Sequence, residues 1–488
     1  MRLPLGPGAW EAGAMNAMTT GRGASGVSRR GFLKASATVG AGLILAPTIL
    51  GAEKGGPVPL NVAIIGTGMQ GRELIEQAVK IEGIRFKAVC DIWPYSQTYS
   101  SRRLRAYGHE INVYADYLEM LDKERGVQAV IVATPDFMHA EHTIACLKAA
   151  KHVYCEKEMS NDLAKARQMV LTARETGNLL QIGHQRRSNP RYLHAKHKLL
   201  DDARLCGRIT HIYGQWNRSA AATAPKGSPQ RYEMPVATLQ KYGYESMFQF
   251  RNWRWFRKYG GGPIVDLGSH QVDVFGWFID AKPKYVVAEG GRDYYDNYEW
   301  YDNVTALYAY ETPAGVVRAC YQTLSTTTGR GYFEAFMGDR GTLQISERAD
   351  KCRIFAEGYL PNGADGSHPW EPWVQKGYVI RMPKEADQYQ VPKTAAEAIL
   401  SAYRSIPPVA FVLNISVEAS LHQAHLENFF GAVRGKCRLN CPAEVGYETA
   451  VQVLKVNEAL EADKKMTFEE EVARLLAAHG IQFDRRYT

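Results

Sequence analysis

Short apolar runs alternate with helically spaced segments from Leu60 to about Gly183. Residues 60–65, 86–90, 129–133, 152–155 and 179–182 are apolar or β-branched nearly throughout and read as buried strands. Residues 72–79, 141–150 and 163–175 carry apolar side chains at helical intervals. Such alternation predicts a doubly wound parallel sheet, an α/β Rossmann architecture that binds ligands at the carboxyl ends of its strands. After Gly183 the texture changes. Residues 208–217, 285–289, 304–310, 316–323 and 332–337 are strand-like, and some are joined by hairpin turns such as Thr312-Pro313-Ala314-Gly315. They predict a second, α+β domain with a largely antiparallel open sheet. One long helix is expected over 263–278, and two more over 421–433 and 443–460. Residues 219–259 are rich in Tyr, Trp, Phe, Arg, Pro and Gly and read as a long loop over a pocket. Residues 347–415 show no clear period. The chain thus divides into a leader (1–52), a first domain (58–183), a second domain (184–465) and a C-terminal tail (466–488).

The leader adds a location. Ser28-Arg29-Arg30-Gly31-Phe32-Leu33-Lys34 is a twin-arginine pattern, followed by about sixteen apolar, Gly/Ala-rich residues interrupted by Pro47. This resembles a Tat export signal and is short for a membrane span, so a periplasmic or secreted protein without stable membrane insertion is expected. The formal charge is +8, but residues 1–52 hold five basic side chains and one acid, and without them it falls to +4. The remaining basic residues are scattered, which excludes a nucleic-acid signature. A hydrophobic content of 45% suffices for two cores. Eight cysteines are spread along the chain. Cys90, Cys146 and Cys155 read as small buried hydrophobes, while Cys437 and Cys441 leave a disulfide open.

The densest chemical signal is Gly66-x-Gly68-x-x-Gly71, between the first strand and the first helix. Gly66 permits the turn, Gly68 lets the backbone approach a pyrophosphate, and Gly71 lets helix and strand pack closely. Asp91 ends the second strand about twenty residues later, where a carboxylate accepts the ribose hydroxyls of NAD and repels the 2′-phosphate of NADP. NAD is therefore the expected cofactor, with NADP less favoured. Met69, Gln70, Thr134, Pro135 and Glu156 follow strand ends or open the first helix and join the cofactor-binding set.

On the 263–278 segment, Asp266, His270, Asp273 and Trp277 recur at +4, +3 and +4, which places them on one helical face. Two readings stand. The stripe faces a polar cleft, with Asp266 orienting His270 for proton transfer and Asp273 on the substrate side, or it is a solvated face or structural pair. Lys157, just beyond the fourth of these strands and between Glu156 and Glu158, either polarises a substrate hydroxyl or sits in a charged surface turn. His139 either approaches the nicotinamide or caps the following helix. His422 and His425 are three apart on a helix, but nothing completes a metal site, and none is expected.

Taken together, these segments resemble the glucose–fructose oxidoreductase / inositol dehydrogenase / MocA (Gfo/Idh/MocA) family. The carrying motifs are 64–71, Ala133-Thr134-Pro135-Asp136-Phe137-Met138-His139, Cys155-Glu156-Lys157 and 261–270. The resemblance implies catalytic roles for Lys157, Asp266 and His270. It further implies a cofactor or substrate role for Gln185 and Arg187, and a substrate-side role for Trp253 and Arg254. Glu158 departs from the pattern, standing where the family has proline. The resemblance implies an NAD-dependent oxidoreductase of a sugar or polyol hydroxyl. Together with the leader, it sets the expectation of an exported enzyme that holds its nucleotide tightly and is homo-oligomeric through its C-terminal sheet. The resemblance leaves open a glycosidase or lyase that uses bound NAD catalytically. A non-catalytic, nucleotide-bound sugar sensor is the further alternative.

Overall fold

The computed structural model describes residues 59–383, 407–417 and 420–468. The leader, and with it the twin-arginine segment, lies outside the described residues, as do 469–488 and part of the aperiodic stretch.

Strands β1 (Leu60–Ile65), β2 (Ile84–Cys90), β3 (Asn112–Tyr114), β4 (Ala129–Val132), β5 (His152–Cys155) and β6 (Leu180–Ile182) form a parallel sheet in the order β3-β2-β1-β4-β5-β6. Both faces of the sheet are covered. Val62 and Ile64 enter one core and Ala63 and Ile65 the other, which is why β1 reads as an unbroken apolar run. The order reverses between β1 and β4, and a crevice opens beyond the carboxyl ends of these strands.

The second sheet is made of β7 (Ile209–Asn217), β8 (Pro283–Gly291), β9 (Asn303–Thr312), β10 (Gly315–Leu324), β11 (Tyr332–Gly338), β12 (Gly341–Ile345), β13 (Arg353–Ala356), β14 (Val379–Arg381), β15 (Val409–Leu413) and β16 (Met466–Thr467). It is antiparallel except where β7 and β10 run parallel. The helix Gly268–Ile279 lies across β7 and β10, close enough that a Cβ on Gly214 would stand 2.5 Å from the Phe275 ring.

Four expectations change. The helix over 263–278 is two helices, Gly262–Asp266 and Gly268–Ile279, broken at Leu267. Gly268 passes so close to the Tyr321 ring that a Cβ there would lie 2.9 Å away. Asp266 and His270 thus stand on different helices. The 219–259 segment is no bare loop. It carries the short helices Ala220–Thr223, Val236–Lys241 and Met247–Arg251, and Met234, Leu239, Tyr244, Phe256 and Tyr259 form a small core with Trp93. Finally, the chain does not leave the first domain for good at residue 183. The helix Leu421–Val433 returns to the parallel sheet and packs Leu426, Phe429 and Phe430 against Val62, Ile64 and Tyr154. Met466–Thr467, expected in the tail, extends the second sheet beside β8.

His425 bonds the Ile182 carbonyl at 2.9 Å and Ser188 Oγ at 2.6 Å, joining these two layers. All eight cysteines are free, so Cys437 and Cys441 are not bridged. Among the described residues no helix is long and apolar enough to cross a membrane.

Candidate active site at the carboxyl edge of the parallel sheet

The glycine loop forms one wall of a cleft of about 630 Å³. Gly66 has φ +87°, and a Cβ there would lie 2.7 Å from the Ala133–Thr134 backbone. Gly71 abuts the loop itself, with a would-be Cβ 2.1 Å from the Gly66 carbonyl oxygen. Gly68 differs, since nothing in the chain lies within 4 Å of its would-be Cβ. The space above it opens on the N-terminus of the helix Met69–Ala78, whose first turn has neither a capping side chain nor an acid. Unpaired N–H groups and positive dipole are thus presented to a space that admits a pyrophosphate. These residues fit a dinucleotide.

Asp91 lines the same cleft. Thr67 donates to its Oδ2 from the backbone N–H at 2.7 Å and from the hydroxyl at 3.2 Å, and the Trp93 N–H donates to Oδ1 at 2.8 Å. Burial raises this carboxyl despite those bonds. The neighbouring cation is Arg72, which is stacked 4.0 Å from the Tyr99 ring centroid and bonded to the Thr67 carbonyl. Arg103 is instead engaged with Glu76 at 2.6 Å.

Gly66, Gly68, Met69, Gln70, Thr134, Pro135 and Glu156 also line the cleft. Gln70 donates to Glu156 at 3.1 Å, tying the loop to the end of β5. Lys157 follows, and the structure makes it no surface residue. Its side chain is 11% exposed, and Nζ donates to the Asp266 carbonyl at 2.6 Å and to Asp266 Oδ1 at 2.9 Å. Arg254 Nε lies 3.1 Å from the same oxygen. Burial alone would raise Asp266, but Lys157, Arg254 and Arg218 hold it well below the usual carboxylate range. Asp136, also in the cleft, goes the other way. Burial and the Asp266 charge raise it to about 7, against the pull of Arg254 and Lys157.

Asp266 therefore serves Lys157 and Arg254, and the expected orientation of His270 by Asp266 is corrected. The His270 ring is buried beside Trp216, 5.5 Å between centroids, and its Nδ1 has no partner. Burial, with Lys157, Arg186 and His184, pushes its imidazole well below the usual range, so it is neutral at pH 7. His139 is a buried strut, with Nε2 2.6 Å from the Thr134 carbonyl and Nδ1 2.6 Å from the Glu158 carbonyl. It braces the turns that carry Thr134 and Lys157 from behind. Glu158 points inward and is fully buried. Its Oε1 accepts the Met159 N–H at 2.6 Å, its Oε2 is unpaired, and burial raises it to about 8.

Trp253 and Arg254 line the cleft, whereas Arg187 and Asp273 do not. Those two form a buried pair with each other at 2.8 Å, to which Thr449 adds a bond. Gln185 is buried with its Oε1 unpaired. Sequence reasoning missed Arg72, Trp93, Lys226 and Arg251, which complete the walls. Arg72 directly follows Gly71 and was within reach of the motif. The other three meet only through the fold of the 219–259 segment over the sheet edge, and no spacing announces them.

A parallel sheet with a glycine-loop cleft at its switch point, joined to an open mixed sheet, defines a dinucleotide-dependent two-domain protein. Comparison with known sequences agrees. Residues 60–184 match the oxidoreductase family with an NAD-binding Rossmann fold, and residues 197–344 match the GFO/IDH/MocA C-terminal domain. An inositol 2-dehydrogenase of Rubrobacter xylanophilus is 30% identical over 297 residues, covering 59% of this chain and 71% of that one. A 1,5-anhydro-D-fructose reductase of Ensifer adhaerens is 29% identical over 227 residues, 46% of this chain and 58% of the relative, so the chain spans little more than half of that protein. The fold is similar to that of a levoglucosan dehydrogenase in complex with NADH, with TM-score 0.60 at 17% identity, covering 84% of this chain and 99% of the other. The chain belongs to the Gfo/Idh/MocA family, and its N-terminal domain is an NAD-binding Rossmann domain.

Proposed function

We propose that the protein is an NAD-dependent oxidoreductase that oxidises a secondary hydroxyl of a sugar or polyol. The observation that carries this reading is that Lys157, at the end of β5, lines the cleft formed by the glycine loop and is held there by Asp266 of the adjoining recess. NAD, when bound, supplies the hydride acceptor. The Lys157 ammonium hydrogen-bonds the substrate oxygen and stabilises the alkoxide that grows as hydride leaves. Asp266 fixes Lys157 in place. Neutral His270 has an unpaired Nδ1 but lines neither the cleft nor the recess, and its role as acceptor of the hydroxyl proton is supported by the family resemblance alone. Asp91 at the adenosine end favours NAD over its 2′-phosphorylated form.

Purified protein screened against sugars, polyols and glycosides, with nicotinamide absorbance and product mass followed together, tests the reading. Net reduced nicotinamide with a keto product is expected. A glycoside cleaved without net reduction would replace it with a lyase or glycosidase, and binding without turnover would leave a sensor.

The reading includes export by the Tat route, supported by Arg29-Arg30 and the apolar stretch after them. Such export carries folded proteins and leads away from free NAD, so the nucleotide is held and recycled in place. Protein purified from its native compartment should carry nucleotide detectable by mass spectrometry. Self-association through the second sheet is supported by its exposed apolar residues Val287, Leu307 and Val316, the first two of them cross-strand partners.

A further inference from the structure

The cleft adjoins a recess that shares Lys226, Arg251 and Arg254 with it and adds Arg218, Asp266 and Ser325. Four of the residues lining this recess are cationic, and one, Asp266, is acidic. That acid is already divided between Lys157 and Arg254. Among the described residues no carboxylate forms an ion pair with Arg218, Lys226 or Arg251.

The cations rest on aromatic faces instead. The Arg218 guanidinium lies 5.3 Å from the Trp216 ring centroid, Arg251 4.9 Å from Trp93, and Arg254 4.2 Å from Trp253. Ring faces hold such groups in place without cancelling their charge. Asn252 pins the backbone of Lys226 through bonds of 2.7 and 3.0 Å. Lys226 is exposed at the rim, but lost hydration around its ammonium, with Arg254, Arg251 and Arg218 nearby, lowers it from the usual lysine range. Ser325 brings a buried hydroxyl with no partner to the same wall. Four crowded cations facing a single, shared carboxylate, beside an idle hydroxyl, make a preorganised anion site.

We infer that this recess holds an acidic group of the substrate, so the sugar or polyol is an anionic one, bearing a carboxylate or phosphate away from the reacting hydroxyl. The inference rests on the function proposed above. Asp266 of the recess is bonded to Lys157 of the cleft at 2.9 Å, so an acid group beside Arg218 directs the sugar's far end toward Lys157. The cofactor's pyrophosphate is the competing anion for Lys226, Arg251 and Arg254, which line both spaces. Arg218 and Ser325 line the recess alone and therefore separate the two uses.

The test is calorimetric binding of glucose, glucuronate and glucose 6-phosphate to NAD-saturated protein, with Arg218→Gln, Arg218→Lys and the unmutated chain compared after thermal melts confirm folding. An acidic probe should bind at least tenfold more tightly than glucose, less so as salt rises. Arg218→Gln should erase that preference, Arg218→Lys should retain part of it, and NAD affinity should stay unchanged in both. Which acid binds tells carboxylate from phosphate. Glucose binding as well as either acid, neither acid binding, or Arg218→Gln weakening NAD instead would overturn the inference. Binding is read without turnover, so acids held through Arg218 with no nicotinamide reduction would sink the redox reading and leave this one standing.

Discussion

At the residue scale the site is a set of carboxyls driven apart by their surroundings. Asp266, with two cations on it, is ionised throughout the physiological range, while Asp136 is raised to about 7 and Glu158 to about 8. Glu158 is the least comfortable of the three, because one of its buried oxygens has no partner. Its folded-state pKa lies above the ordinary glutamate value, so the native state keeps a proton that the unfolded chain gives up. Stability therefore falls as pH rises from about 4.5 and levels off above about 8. Glu158→Gln keeps the oxygen that accepts the Met159 N–H and removes the ionisation. It should raise the melting temperature by a few degrees at pH 8 and by much less at pH 5. Melts of both proteins across that range check it, and a pH-independent difference would mean that the carboxyl titrates normally. Proline there, the family's residue, should likewise relieve the pH dependence and leave substantial turnover, since Glu158 lines neither the cleft nor the recess.

At the scale of elements, the strand–glycine loop–helix unit allows two neighbouring substitutions to be told apart. Gly71→Ala drives a methyl group into the Gly66 carbonyl and should lower the melting temperature as well as NAD affinity. Gly68→Ala meets nothing in the chain, and its φ of −64° suits alanine. Its melting temperature should stay within about a degree, while NAD binding weakens on the order of tenfold or more, because only the nucleotide would meet the methyl group. Calorimetric melts and NAD titrations of both variants decide it. Unchanged NAD binding by Gly68→Ala would place the pyrophosphate elsewhere. This unit was legible in the sequence because its determinants are local: β1 has both faces buried, and the glycines act within a few residues of one another. The five strands expected after residue 207 were legible for the same reason, as alternating or apolar runs. The helix break at Leu267 was not, and beside it Gly268 packs closely on Tyr321, fifty-odd residues away in sequence, a contact that no local spacing announces. Nor was the return of Leu421–Val433 to the first sheet, because an apolar helical face does not say which sheet it covers.

At the scale of the whole molecule, the two sheets make the site together. The first brings the glycine loop, Asp91 and Lys157 to one edge, and the second domain closes that edge with Arg254 and the aromatic 219–259 segment, while Asp266 lines the adjoining recess. Lys157 and Asp266 are 109 residues apart, and their ion pair crosses the junction. The sequence made each a candidate, but it paired Asp266 with its near neighbour His270, because helical spacing was the only geometry it offered. The most direct test is single-turnover reduction of the nicotinamide, followed by its absorbance, on mixing NAD-loaded protein with a substrate found in the screen, for the unmutated chain and for Lys157→Met. A burst of reduced nicotinamide is expected, which Lys157→Met slows by on the order of 10²–10⁴ with NAD affinity intact. A burst of equal rate in the variant, or none in the unmutated protein with any substrate that binds, would contradict the role of Lys157 at the reacting carbon.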